Sequence, residues 1–196
     1  MVLMKAQLFY NFLNPYSLYD AQVGYCQGQS FLVAALLTVQ MPEEEAFALF
    51  TVIMHDYSFR SLYLHSFIEL RMRFWILERL IESTLPSLFA HFKDLGVEAH
   101  MFSSQWFLTL FTAKFPLSLV YHVIDWFLLA GPNVIYRLSL AMLRTWRRDL
   151  LALDFEGEII FRPAAEIGER RTRGLCPGTH LKSIVDSRKF RKMINR

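Results

Sequence analysis

The chain has 196 residues, enough for one sizeable domain with its own apolar core. Hydrophobic residues make up 54%, and 18 Phe stand against 8 Gly and 7 Pro, which excludes a disordered chain and disfavours a turn-rich β fold. The net charge of +3 is unevenly spread: residues 163–196 hold 9 basic and 3 acidic side chains, whereas residues 1–162 hold 12 and 15.

The basic end reads as a solvated, poorly ordered tail, with weak contact to acidic lipid as its alternative use. Mean hydropathy is +0.25, so a membrane reading has to be weighed. A spanning helix needs about 18 or more consecutive apolar residues. The longest unbroken run here is Phe31 to Leu37, and the next candidate, Leu117 to Tyr136, is interrupted by His122, Asp125 and Gly131-Pro132. Lys5 is followed by a short mixed segment containing Gln7 and Asn11, which is not a signal-peptide pattern. No transmembrane segment is therefore expected. Two cysteines, Cys26 and Cys176, cannot make a disulfide framework and stand in no metal-ligand spacing, which suits a reducing, intracellular setting.

Helical spacing dominates the chain. Lys5 to Leu13 reads as a first helix stopped by Asn14-Pro15. Ser17 to Gly28 is a helical or looped stretch, followed by Gln29 to Val39, apolar on most sides and expected to be central and buried. Pro42 opens the next helix, with Glu43, Glu44 and Glu45 where the macrodipole favours anions, and it runs to about His55. Phe67, Leu70, Phe74, Leu77 and Ile81 recur at alternating steps of 3 and 4, with Glu69 and Arg73 on the wet face. A shorter helix is expected over Leu88 to Leu95, ending at Gly96. Ser103 or Ser104 is placed to cap a helix over Gln105 to Phe115, broken by Pro116. Leu117 to Leu129 follows, then a helix capped by Asn133 and running to about Trp146, and a last one beginning near Asp149. No alternating run is long enough for a strand. The expectation is an all-α, irregular array of roughly nine helices.

The sequence contains no GxxxxGK[ST], HExxH or GxSxG pattern and no Cys-rich zinc pattern. Gly24 and Gly28 form a GxxxG that close helix packing would explain equally well. One segment stands out, Tyr19 to Gly28, polar and glycine-flanked yet immediately before the most apolar helix. Such a position projects a side chain while its backbone is anchored in the core. Gln27 fits that role, and Gly28 would allow close backbone approach by a partner. The plainer alternative is that Gln27 caps the helix that follows.

The same segment resembles the YxxxxGYCQG motif of TBC-domain Rab GTPase-activating proteins, matching at Tyr19, Gly24, Tyr25, Cys26, Gln27 and Gly28. A second block, Ser104 to Phe111 with Phe115-Pro116, is similar to the family's other signature region, and His122 to Trp126 continues it in register. The similarity spans roughly residues 16 to 160, in the flavour of the centrosome-associated and EVI-type activators. The resemblance implies a partial TBC domain over 1–162 and a divergent basic tail over 163–196. It implies that Gln27 is a glutamine finger, reaching the nucleotide of a GTP-loaded Rab and replacing the GTPase's own glutamine. Tyr19 and Tyr25 would hold the loop, Cys26 would pack, and Trp106, Phe107, Phe111 and Pro116 would form core and support beneath the site, with Asp125 part of the same second block. The chain would need no cofactor of its own, since the Rab holds GTP and Mg. It would act in trans, without nucleic acid or a metal of its own. The implied setting is cytoplasmic or peripheral on endomembranes, in vesicle trafficking.

The family also uses an arginine finger in an IxxDxxR motif upstream of the glutamine. None of the 26 residues before Gln27 is arginine, Lys5 is the sole cation there, and no IxxDxxR occurs elsewhere. Lysine lacks the bidentate guanidinium fork and is a poor substitute. After Asp154-Phe155-Glu156-Gly157, which is still family-like, Pro163 onward becomes Arg-rich and interrupted by Gly and Pro. The expectation is a fragment with an incomplete N-terminal part, impaired activity and exposed apolar surface. A non-catalytic Rab-binding or scaffold fragment is the alternative.

Overall fold

The computed structural model describes residues 2–38, 41–64, 66–113 and 115–152. The boundary at residue 162 and the basic tail thus lie outside the described residues. Those described form nine α-helices and one 3-10 segment: α1 Val2–Tyr19, α2 Gln29–Thr38, α3 Glu43–His55, the 3-10 segment Phe59–Tyr63, α4 Ile68–Thr84, α5 Pro86–Asp94, α6 Ala99–Thr109, α7 Leu117–Ala130, α8 Asn133–Thr145 and α9 Arg147–Leu151. No strand is found among the described residues. The all-helical expectation holds.

The hub is α2. Leu32, Val33, Ala35 and Leu36 are at most 1% exposed, because α2 is packed against α1, α3, α6 and α7. A helix apolar on most sides is stable only when enclosed in this way. The predicted stripe on α4 is also present, with Leu70, Leu77 and Ile81 buried and Phe74 half-buried. Phe67 departs from it: its backbone is left-handed (φ 48°) just before the helix, and its side chain is exposed. Arg73 pairs with Glu69 at 2.8 Å, as the i, i+4 spacing predicts, but the pair flanks the stripe and Arg73 is half-buried rather than on a fully wet face.

Four boundaries differ from expectation, three of them for a tertiary reason. Pro15 does not stop the first helix, which continues to Tyr19. Phe12 and Tyr16, one turn apart on either side of the proline, are both buried against Phe50, with ring centroids 5.5 and 4.8 Å away. That packing outweighs the lost backbone donor. Ser103 and Ser104 do not cap the next helix. It begins at Ala99, whose N–H donates to Oε1 of Glu78 on α4 at 3.0 Å, while the two serine hydroxyls donate to the carbonyls of Ala99 and His100 within the helix. The same helix ends at Thr109 rather than Phe115, because Leu110 and Phe111 both turn left-handed with φ 48° and 64°. Such backbone is costly for bulky residues and persists only where packing dictates it. Here both side chains are fully buried, and Phe111 stacks on Trp106 at 5.7 Å. Asn133 is the first residue of α8 rather than its cap, and no side chain caps that helix.

Some large apolar residues are exposed. They include Tyr10, Leu18 and Tyr19 on α1 and Ile68, Met72 and Trp75 along one face of α4.

Candidate functional site: a braced loop carrying Gln27

Helix α1 closes at Tyr19, and the chain turns at Asp20, whose N–H donates to the Tyr16 carbonyl at 2.8 Å. The Gly24 N–H then donates to the Asp20 carbonyl at 2.8 Å, and Gly24 has φ +61°, in the left-handed region that glycine enters without a Cβ penalty. The GxxxG is thus part of a loop and not a helix-packing motif.

The Asp20 carboxylate faces inward with only 5% of its side chain exposed. It accepts from Arg60 Nε at 2.5 Å and Nη2 at 2.9 Å, the two-pronged geometry that suits guanidinium to carboxylate. It also accepts from the Val23 N–H and the Tyr16 hydroxyl, each at 3.4 Å. Arg60 Nη2 further donates to Gln22 Oε1 at 2.6 Å. The bond from Arg60 holds the Asp20 carboxyl below its ordinary range despite the opposing effect of burial. Burial, followed by the neighbouring Asp20 charge, pushes the Tyr16 phenol up.

A second brace lies at the other end of the loop. Gln29 is 0% exposed; its Oε1 accepts from the Cys26 N–H at 3.2 Å and its Nε2 donates to the Gly24 carbonyl at 3.5 Å. Gln29, rather than Gln27, therefore ties the entrance of α2 to the loop. Cys26 is half-buried and packs on the core, and burial pushes its thiol up.

The third contact joins the two sequence blocks. Gly28 is buried with φ +116°, and a Cβ placed there would stand 3.2 Å from the Leu108 carbonyl oxygen on α6. The same carbonyl accepts from the buried Tyr63 hydroxyl at 2.5 Å, and burial pushes that phenol up. The close approach that Gly28 permits is thus already taken within the chain, by Leu108, and not left open for a partner.

Between these braces Gln27 is exposed, and among the described residues its carboxamide has no hydrogen-bond partner. A free carboxamide on a fixed backbone can accept through oxygen and donate through nitrogen at once. Tyr19 and Tyr25 flank it but are 65% and 59% exposed. Tyr19 rests edge-on against His55 at 5.7 Å, so both tyrosines border the loop's surface and neither is a buried strut. Trp106, Phe107 and Phe111 are buried beneath the second block, whereas Pro116 and Asp125 are exposed at the start and outer face of α7. Pro116 therefore sets the start of a helix and is not core.

Arg60, Gln29, Tyr63 and Leu108 were not singled out by the sequence. Arg60 sits 33 positions beyond Gln27 in a 3-10 segment with no periodic signal. It is the arginine brought to this loop, but two of its nitrogens are committed to Asp20 and Gln22. It does not stand in for a free arginine finger. Among the described residues no group of three or more His, Cys, Asp or Glu could hold a metal ion, and no helix is long and apolar enough to cross a membrane.

Comparison with known proteins gives the family and the fold. The family model of the Rab-GTPase-TBC domain matches residues 4–151. The chain is 49% identical over 153 residues to Rab GTPase-activating protein tbc-11 of Caenorhabditis elegans, covering 78% of this chain and 16% of that protein. It is 41% identical over 151 residues to the human ecotropic viral integration site 5 protein homolog, covering 77% of this chain and 18% of that one. The crystal structure of the Chlamydomonas flagellar RabGAP TBC domain superimposes with a TM-score of 0.75 at 24% identity, over 97% of this chain and 58% of that one. The Ypt/Rab-GAP domain of Gyp1p superimposes with a TM-score of 0.66 at 18% identity, over 79% of this chain and 56% of that one. The chain belongs to the Rab-GTPase-TBC domain family. It spans less than a fifth of the length of the curated relatives it matches.

Proposed function

We propose that this chain binds a GTP-loaded Rab and uses Gln27 as a glutamine finger toward the Rab's nucleotide. Hydrolysis of GTP is an in-line displacement in which the protein contributes mainly positioning and electrostatics. A carboxamide suits that work: its oxygen accepts from the attacking water while its NH2 donates to the γ-phosphate. The observation that carries the reading is the pairing of an exposed Gln27 side chain, without a hydrogen-bond partner among the described residues, with a backbone braced on both sides. GTP and Mg belong to the Rab in this scheme. The implied setting is vesicle trafficking on the cytoplasmic face of endomembranes.

These 196 residues contain no IxxDxxR segment, and an arginine finger contributes about 10³–10⁵ in rate. The chain by itself is therefore expected to stimulate weakly. Single-turnover GTP hydrolysis across a panel of Rabs, with and without Gln27→Ala, tests the reading. A small acceleration on at least one Rab, lost with the substitution, supports it. Full-strength acceleration would contradict the impairment. The missing arginine also favours a second reading, a Rab-binding or scaffold fragment without catalysis. In that case Gln27→Ala would leave affinity for GTP-loaded Rab unchanged and no Rab would be hydrolysed faster.

A further inference from the structure

We propose that Arg60, acting through the Asp20 carboxylate, is a positioning residue that holds the Gln27 loop in its projecting conformation, so that the finger is set before any Rab arrives. This rests on the reading of Gln27 as the finger and adds a residue from a different part of the chain.

Between Tyr19 and α2, the side chains of Ala21, Gln22, Tyr25 and Gln27 are exposed, and only Asp20, Val23 and Gly28 are buried. So little apolar anchoring does not by itself select one loop conformation, because ordering each residue costs about 1–2 kcal/mol of backbone entropy. The order must come from polar braces. Gln29 supplies a local one, at 3.2 and 3.5 Å. The long-range one is Arg60, which donates to Asp20 from two nitrogens and to Gln22 from one of them. Asp20 in turn accepts from Val23 N–H, so the guanidinium fixes both the start of the loop and its buried midpoint.

Geometry also favours a positioning role over a direct one. Arg60 lies on the 3-10 segment, which packs against α3, α4 and α6, so its origin is rigid. Tyr63, from the same segment, bonds to the Leu108 carbonyl, the atom on which Gly28 rests. One short segment thus reaches both ends of the loop, Asp20 through Arg60 and Gly28 through Tyr63 and Leu108. Stimulation scales with the fraction of time the loop is in its competent conformation, and a displacement of about 1 Å at a reacting group costs about 100-fold.

Two readouts test the proposal. The first needs no Rab: the rate at which a maleimide labels half-buried Cys26 in a Cys176→Ser background. Arg60→Ala is expected to raise that rate about tenfold or more, Asp20→Asn by less, and Arg60→Lys to restore part of the protection, since lysine keeps the charge but not the fork. The second is GTP hydrolysis on whichever Rab of the panel the wild-type chain stimulates. There the acceleration over the Rab's intrinsic rate should fall to background at saturation, because a displaced finger no longer reaches the reacting atoms, while half-saturation moves less than threefold. Should Arg60→Ala fail to fold, Arg60→Lys and the near-isosteric Asp20→Asn decide the question. Wild-type labelling together with wild-type hydrolysis in folded variants overturns the proposal. Faster labelling of the variants with no Rab stimulated by wild type leaves the brace standing and removes the finger instead.

Discussion

At the scale of single residues, Gln27 and Gly28 are neighbours with opposite liabilities. Gln27 is exposed, so Gln27→Ala should change stability by less than about 0.5 kcal/mol, while the small Rab stimulation expected of this chain is lost with the preorganised carboxamide. Thermal unfolding and single-turnover hydrolysis measured on the same sample separate the two effects. Gly28→Ala should do the reverse first. A Cβ would press to 3.2 Å on a backbone oxygen, at φ +116°, so a loss of about 1–3 kcal/mol is expected, read as a lower Tm. Asp20 gives a pH prediction. Its carboxyl is held below the ordinary carboxylate range in the folded chain, chiefly by the bond from Arg60. The stability this provides is therefore complete above the carboxyl's ordinary range and is lost as pH falls through its lowered, folded-state range. Denaturation followed between neutral pH and strong acid should show Asp20→Asn losing less on acidification than wild type, even though it starts less stable. Parallel acid limbs for the two proteins would be evidence against the buried pair. Of these residues, Gln27 was legible through the resemblance of Tyr19 to Gly28 to the family motif, since its spacing alone fits a helix cap as well. The sequence pattern could not point to Arg60, because that pairing joins positions forty residues apart and leaves no mark in local spacing.

At the scale of elements, helix existence was legible wherever apolar residues recur at steps of 3 and 4, as in α4, or fill nearly every position, as in α2. Helix ends were legible less often, because several are decided by contacts with other helices. Glu78 on α4 caps α6 where a serine was expected to, and buried Leu110 and Phe111 end α6 early. The 3-10 segment went unseen for the same reason: Phe59, Leu62 and Tyr63 are buried, a pattern too short for periodicity to register. Pro15 offers a measurable case. It is exposed within α1, between buried Phe12 and Tyr16. An interior proline costs a helix about 3 kcal/mol, and packing against α3 offsets it. Pro15→Ala should therefore raise stability by about 1–3 kcal/mol, seen as a higher Tm and slower amide exchange in α1. A lower Tm would mean that the proline's bend is itself required for Phe12 and Tyr16 to reach Phe50.

At the scale of the whole molecule, the helices converge on one task, which is to bring two distant sequence blocks together. α2 runs inward from the loop, α6 delivers the Leu108 carbonyl to Gly28, and the 3-10 segment links both to Asp20. That is why the two blocks could be recognised separately in the sequence while their contact could not: it depends on a single backbone oxygen meeting a missing side chain. The central claim is that the Gln27 carboxamide enters the nucleotide site of a Rab. The most direct measurement is a structure of this chain bound to a Rab carrying GDP and aluminium fluoride, a mimic of the transferring phosphoryl group. The account predicts the Gln27 side chain within hydrogen-bond distance of the attacking water and the fluoride, with Arg60 still paired to Asp20. A complex in which Gln27 is turned away from the nucleotide would contradict it.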